Sequence, residues 1–120
     1  SQRNVNDLLN IYNIINYLPV PSSLFPEGSD CFIIDCPDNS LSESGIKYED
    51  VLVISRNYEL KDGDIVMILY ENHVLLRYYT HHDNPDLVIL KADSDLLGKE
   101  VFNRNEVTII GKLVGKYTKY

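Results

Sequence analysis

Positive charge is scarce in this 120-residue chain: 11 lysines and arginines stand against 18 aspartates and glutamates, a formal net charge of -7. Gripping a phosphate backbone needs a clustered positive field, so any DNA contact has to come from another part of the protein. Long apolar runs are missing too. None approaches the roughly 18 residues that a membrane span requires, and the start of the chain has no charged-then-apolar leader pattern. The expectation is a cytoplasmic protein with no membrane contact. Cysteine is limited to Cys31 and Cys36, at the two ends of the strand-like CFIIDC. Extended steps of about 3.3 Å each hold them too far apart for a disulfide, which suits free thiols in a reducing compartment. No zinc spacing occurs, and the His81-His82-Asp83 triplet has no partner cluster, so neither metal nor cofactor is expected. Internal repeats and low-complexity segments are absent as well.

What is present, 44% hydrophobic and 24% charged residues, fits one soluble domain with a modest core. Residues 1–26 read as an N-terminal arm and linker, and 27–120 as the domain proper. Within the arm, Val5, Leu8, Leu9, Tyr12 and Ile15 have helical spacing behind a possible N-cap, Asn4, while IYNIINY also suits an extended segment; the two readings stand side by side. LPVPSSLFPEG, with its prolines and glycine, marks a connection.

From Asp30 onward, short strand-like runs alternate with turn residues, and the expected fold class is mostly β with little helix. The expected strands are CFII, VLVIS (51–55), IVMILY (65–70), HVLLRYY (73–79) and LVILKA (87–92). VLVIS is apolar almost throughout, as in a strand buried on both faces. Glu71-Asn72 reads as a tight hairpin and HHDNPD (81–86) as a polar turn. SDLLGKEVFNRNE has little periodicity and reads as a loop with at most one helical turn. VTIIGKLVGKY (107–117) alternates around two glycines, which predicts a strand that bends or bulges.

Ser40 lies in a polar loop, DCPDNSLSESGIKYED, between two of these runs. A serine there is ordinarily a turn residue whose hydroxyl caps its own backbone, and no His or Lys lies beside it in sequence to activate it. The order Ser40-Leu41, Gly45-Ile46, Glu49-Asp50 and VLVIS, however, resembles the nucleophile segment of the LexA-like self-cleaving repressors. Three more stretches resemble the same family in the same order: YLPVPSSLFPEGSDCFII before the serine, DGDIVMILYENHVLLRYY as the hairpin of the second catalytic residue, and EVTIIGKLVGKY as the closing strand. The resemblance covers about residues 17 to 117. The family includes LexA, related mutagenesis proteins and the C-terminal domains of lambdoid phage repressors.

The resemblance implies a compact, mostly β fold that forms a homodimer, with DNA bound only through a separate N-terminal domain. It also implies a Ser-Lys dyad. In such a dyad a lysine with a depressed pKa takes the serine's proton, and the serine then attacks a peptide bond of the same protein. Ser40 matches the nucleophile, with backbone N–H groups around Asn39 and Ser40 as oxyanion donors. Ungapped alignment of the hairpin puts Arg77 at the lysine's place. A guanidinium does not deprotonate in a protein, so Arg77 cannot be a general base.

Arg77 reads instead as a strand arginine paired with Asp38 or Asp50, able to shape the loop through a forked hydrogen bond. His73, His81 and His82 are the other bases by pKa, but they fall at hairpin ends. Further departures are Glu49 for a glycine, Pro37-Asp38-Asn39 where the family usually has a glycine, and no Ala-Gly cleavage pair. Ala92 is the sole alanine, and the resemblance would put a cut near or before residue 5. The expected function is therefore a repressor's dimerisation and regulatory domain with an inactive dyad, relieved by a partner such as an antirepressor protein. The alternative is an active autoproteolytic peptidase that uses Ser40 and is stimulated by RecA filaments.

Overall fold

The computed structural model describes residues 30–94 and 98–118. The helix or extended arm expected near the N-terminus, and the linker after it, lie outside those residues. Seven strands form one antiparallel sheet: β1 (Cys31–Asp35), β2 (Asp50–Ser55), β3 (Ile65–Tyr70), β4 (His73–His81), β5 (Leu87–Lys91), β6 (Val101–Asn103) and β7 (Thr108–Thr118). Their spatial order is β1-β2-β7-β3-β4-β5-β6. The last strand in sequence thus lies inside the sheet, between two sequence-local groups.

The middle of the sheet is buried on both faces because β3 and β4 are apolar at both phases of the two-residue strand repeat. Met67, Val74 and Leu76 join Phe32, Ile34, Leu41, Leu52 and Ile54 in one core cluster. Val66, Ile68, Leu75 and Tyr79 join Val88, Leu90 and Phe102 in the other. VLVIS behaves as its composition predicts, with every residue of β2 except Val51 buried. Glu71 and Asn72 both take positive φ, 49° and 64°, as a two-residue type I′ hairpin turn requires.

Two sequence expectations need correction. SDLLGKEVFNRNE is not simply a loop: Val101–Asn103 pairs with β5 and buries Phe102 against Tyr70, with ring centroids 5.1 Å apart and nearly perpendicular planes. Three residues are too few to display a period. His81 is not part of the following turn, because it ends β4, pairs with Val88 and gives its N–H to Asp62.

The bend expected near the glycines is present. β7 pairs with β3 through Thr108 to Lys112 and with β2 through Lys112 to Thr118. The register shifts once on each side: Ile110 is the extra residue opposite Met67/Ile68, and Val114 the extra residue opposite Val53/Ile54. Each bulge adjoins a glycine, Gly111 or Gly115, and together they let one strand turn from one partner to the other.

Candidate functional site

β1 runs out at Asp35, and the chain loops through residues 36–49 before returning as β2. Buried Leu41 and Ile46 anchor this loop in the first core cluster and close on each other through an Ile46 N–H to Leu41 carbonyl bond of 3.2 Å. Between them Ser42–Ser44 make a 3-10 turn that ends at Gly45, whose φ of 88° favours glycine. The Gly-Ile step is therefore a turn exit followed by an anchor. The side of the loop is fixed by the segment after β5, where the Asp93 and Ser94 N–H groups donate to the Ser40 carbonyl at 2.9 and 3.1 Å.

Ser40, Asp38 and Arg77 are all buried, with 7%, 2% and 0% of their surfaces accessible. Arg77 stands in β4 opposite Val66. Its Nη1 donates to Asp38 Oδ2 at 3.3 Å and to the Leu76 carbonyl at 2.7 Å. Of the two carboxylates expected as partners, Asp38 is the one found. Ser40 Oγ lies 2.8 Å from Asp38 Oδ1 and 2.8 Å from the Leu76 carbonyl. The Ser40 N–H also points to Asp38 Oδ1, at 3.3 Å, and the Leu76 N–H to Oδ2, at 3.4 Å. The structure thus brings together Ser40, its N–H and Arg77, which the family resemblance aligns with the nucleophile, an oxyanion donor and the base. Asn39 is exposed, and its carbonyl accepts the Ser42 N–H.

Asp38 is the residue whose part in this cluster sequence reasoning missed, beyond its pairing with Arg77. Its position two residues before Ser40 is the one signal for it, since an aspartate there readily accepts from the backbone and side chain at i+2. Burial pushes its carboxyl pKa up, against the lowering effect of the Ser40 hydroxyl, the Arg77 charge and the Ser40 and Leu76 N–H groups. The Ser40 hydroxyl has one proton and two acceptors within 2.8 Å, Asp38 Oδ1 and the Leu76 carbonyl, so it is held between them.

The other sequence candidates lie elsewhere. His73 faces the Glu71 carbonyl, His81 is held by Asp62, and His82 accepts the Asn84 N–H. Among the described residues, no group of three or more His, Cys, Asp and Glu side chains is placed to hold a metal ion.

Asp50 ties the end of the loop to the end of β7. Its carboxylate accepts the Lys47 N–H at 2.9 Å and the Thr118 hydroxyl at 2.8 Å, and it faces Lys116 Nζ at 3.7 Å. Burial acts to raise its pKa, but these donors outweigh it and hold the carboxyl below the usual aspartate range. A carboxylate with a depressed folded-state pKa contributes stability that is present above the unfolded value and lost as pH falls through the folded one. Asp50→Asn is accordingly expected to cost about 1–2 kcal/mol at pH 7. The difference from the parent should shrink below the ordinary carboxylate pKa, as urea unfolding across the acid range would read.

Residues 7–114 match the family described as Peptidase S24-like. The chain is 30% identical over 113 residues to the LexA repressor of Clostridium acetobutylicum, covering 94% of this chain and 53% of that protein. It is 31% identical over 106 residues to the LexA repressor of Petrotoga mobilis, covering 88% and 51%. The LexA repressor of Leptospira biflexa is 31% identical over 108 residues, covering 90% and 51%. The chain spans about half the length of the curated relatives it matches.

Proposed function

Since the chain belongs to the Peptidase S24-like family, we propose that it is the C-terminal dimerisation and regulatory domain of a LexA-like transcriptional repressor whose self-cleavage dyad is inactive. The observation that supports this reading is that Arg77, which the family resemblance aligns with the dyad lysine, is buried and bonded through Nη1 to Asp38 beside Ser40. A permanently charged guanidinium cannot accept the serine proton, so Ser40 Oγ has no base there. DNA is read by a separate N-terminal domain, which agrees with the acidic balance of this one. Relief of repression then requires another protein, an antirepressor by the simplest route, in place of self-cleavage.

Two measurements test the reading. The chain with its natural upstream segment, incubated from neutral to alkaline pH with and without activated RecA filaments, is expected to stay intact on gels. A cut that disappears in Ser40→Ala would overturn the inactive dyad and favour an active peptidase. Sedimentation at high micromolar concentration is expected to give a dimer. Val114 and Tyr117 on β7 and Val101 on β6 are exposed large apolar side chains open to such an interface, and a strict monomer would count against it.

A further inference from the structure

We propose that Asp38 is a built-in carboxylate occupant of the old acyl site, so that the site is closed by two residues and not by the loss of its base alone. The proposal rests on the reading of Ser40 as a former nucleophile. Acyl transfer needs a serine oxygen free to give up its proton, N–H donors aimed at the developing oxyanion, and a base. The same carboxylate engages all three positions. Oδ1 takes the Ser40 hydroxyl at 2.8 Å and the Ser40 N–H at 3.3 Å, while Oδ2 takes Arg77 Nη1 at 3.3 Å and the Leu76 N–H at 3.4 Å. A planar two-oxygen group against the nucleophile and an oxyanion donor is what the carboxylate product of peptide hydrolysis would present. Asp38 therefore sits in the site as a tethered product.

Restoring the base by itself does not reopen such a site. A lysine at position 77 would face Asp38, and an adjacent carboxylate stabilises the ammonium form, raising the lysine pKa when the chemistry requires it lowered. The hydroxyl and N–H of Ser40 would also remain occupied. Removing the carboxylate together with the guanidinium changes both conditions. A lysine without Asp38, in the same buried place, sheds its proton more easily and can take the Ser40 proton as Oγ attacks.

The experiment compares the parent, Arg77→Lys, Asp38→Ala and the double variant for labelling of Ser40 by a fluorophosphonate. Oγ forms a bond to phosphorus, fluoride leaves, and the base takes the proton; intact mass and peptide mapping read the adduct. The double variant is expected to label about a hundredfold or more faster than any of the other three, with a rate that rises with pH as the lysine deprotonates. Labelling of Arg77→Lys at the double variant's rate would overturn the proposal while leaving the inactive-dyad reading in place. A cooperatively folded double variant that does not label would overturn it too. Labelling of the parent would instead overturn the inactive dyad.

A second measurement does not depend on the double variant folding. In Asp38→Ala the emptied carboxylate position should accept formate. Formate is then expected to raise the variant's unfolding midpoint, or restore its cooperative transition, beyond the effect of chloride at equal ionic strength, with no such effect on the parent. A variant that responds to the two salts alike refutes the occupant role.

Discussion

Asp38→Ala is expected to cost about 3–5 kcal/mol of unfolding free energy at neutral pH. The loss arises less from the missing contact than from what stays behind. Arg77 has no accessible surface, and its charge cannot be shed by deprotonation. Arg77→Met should be the milder change, because the carboxyl left behind can neutralise itself. Its pKa is already raised by burial, and loss of the nearby cation raises it further. The cost of Arg77→Met relative to the parent should therefore grow as pH climbs from the parent's raised value to the still higher value in the variant. The sign follows from linkage: a raised folded-state pKa favours the folded protein in acid and withdraws that support as the proton leaves. Combining Asp38→Ala with Arg77→Met should recover most of the stability, since removing both ends of a buried ion pair is often close to neutral. Urea unfolding of the four proteins at two pH values checks this, and strict additivity of the two single changes would refute the coupling.

A large effect of purely steric origin is also expected, at Gly111→Ala. A Cβ at this position would lie 2.5 Å from Ile54 Cγ2 and 2.6 Å from the Ser55 carbonyl oxygen. The side chain could turn aside, but the carbonyl belongs to β2, so the two strands would have to part. The expected cost is about 3 kcal/mol, at the upper end of overpacking changes. Gly115→Ala supplies the contrast in the same strand. Its Cβ would meet Val53 at 3.7 Å, an ordinary contact, and the change should fall within about 0.5 kcal/mol of the parent. Thermal melts of the pair separate close backbone approach from a general preference for glycine near bulges.

Much of the sheet is legible in the sequence because its strands are long relative to the two-residue period. β3 and β4 are apolar at both phases, and Glu71-Asn72 between them is a turn with local chemistry of its own. β6 is hidden because it is three residues long and owes its existence to one buried ring, Phe102, packed on Tyr70. The site divides in the same way. No spacing rule places Ser40 beside Arg77, since the two lie on separate elements far apart along the chain; the family resemblance alone points to that meeting. In sequence the ion pair is open between Asp38 and Asp50, two acids that differ little in their local surroundings. Distance decides between them, Asp50 being engaged by Lys47 in its own loop and by Thr118 and Lys116 at the end of β7. The occupation of Ser40 by Asp38 depends on rotamers and burial, which composition and periodicity do not encode.

The place of β7 in the sheet has a consequence for when the site can exist. Ser40 belongs to the loop between β1 and β2, and Arg77 to the group running from β3 to β6. Each group pairs within itself through neighbours in sequence, but β2 and β3 do not pair with each other; both pair with β7. During synthesis the first group emerges, then the second, and the strand that joins their edges comes after both. Until it docks, no sheet hydrogen bonds hold the serine loop against β4, and packing in the first core cluster has to align the two halves unaided. The buried Asp38–Arg77 pair would then form after the sheet is continuous, which spares the growing chain from stranding an arginine charge in a half-built core.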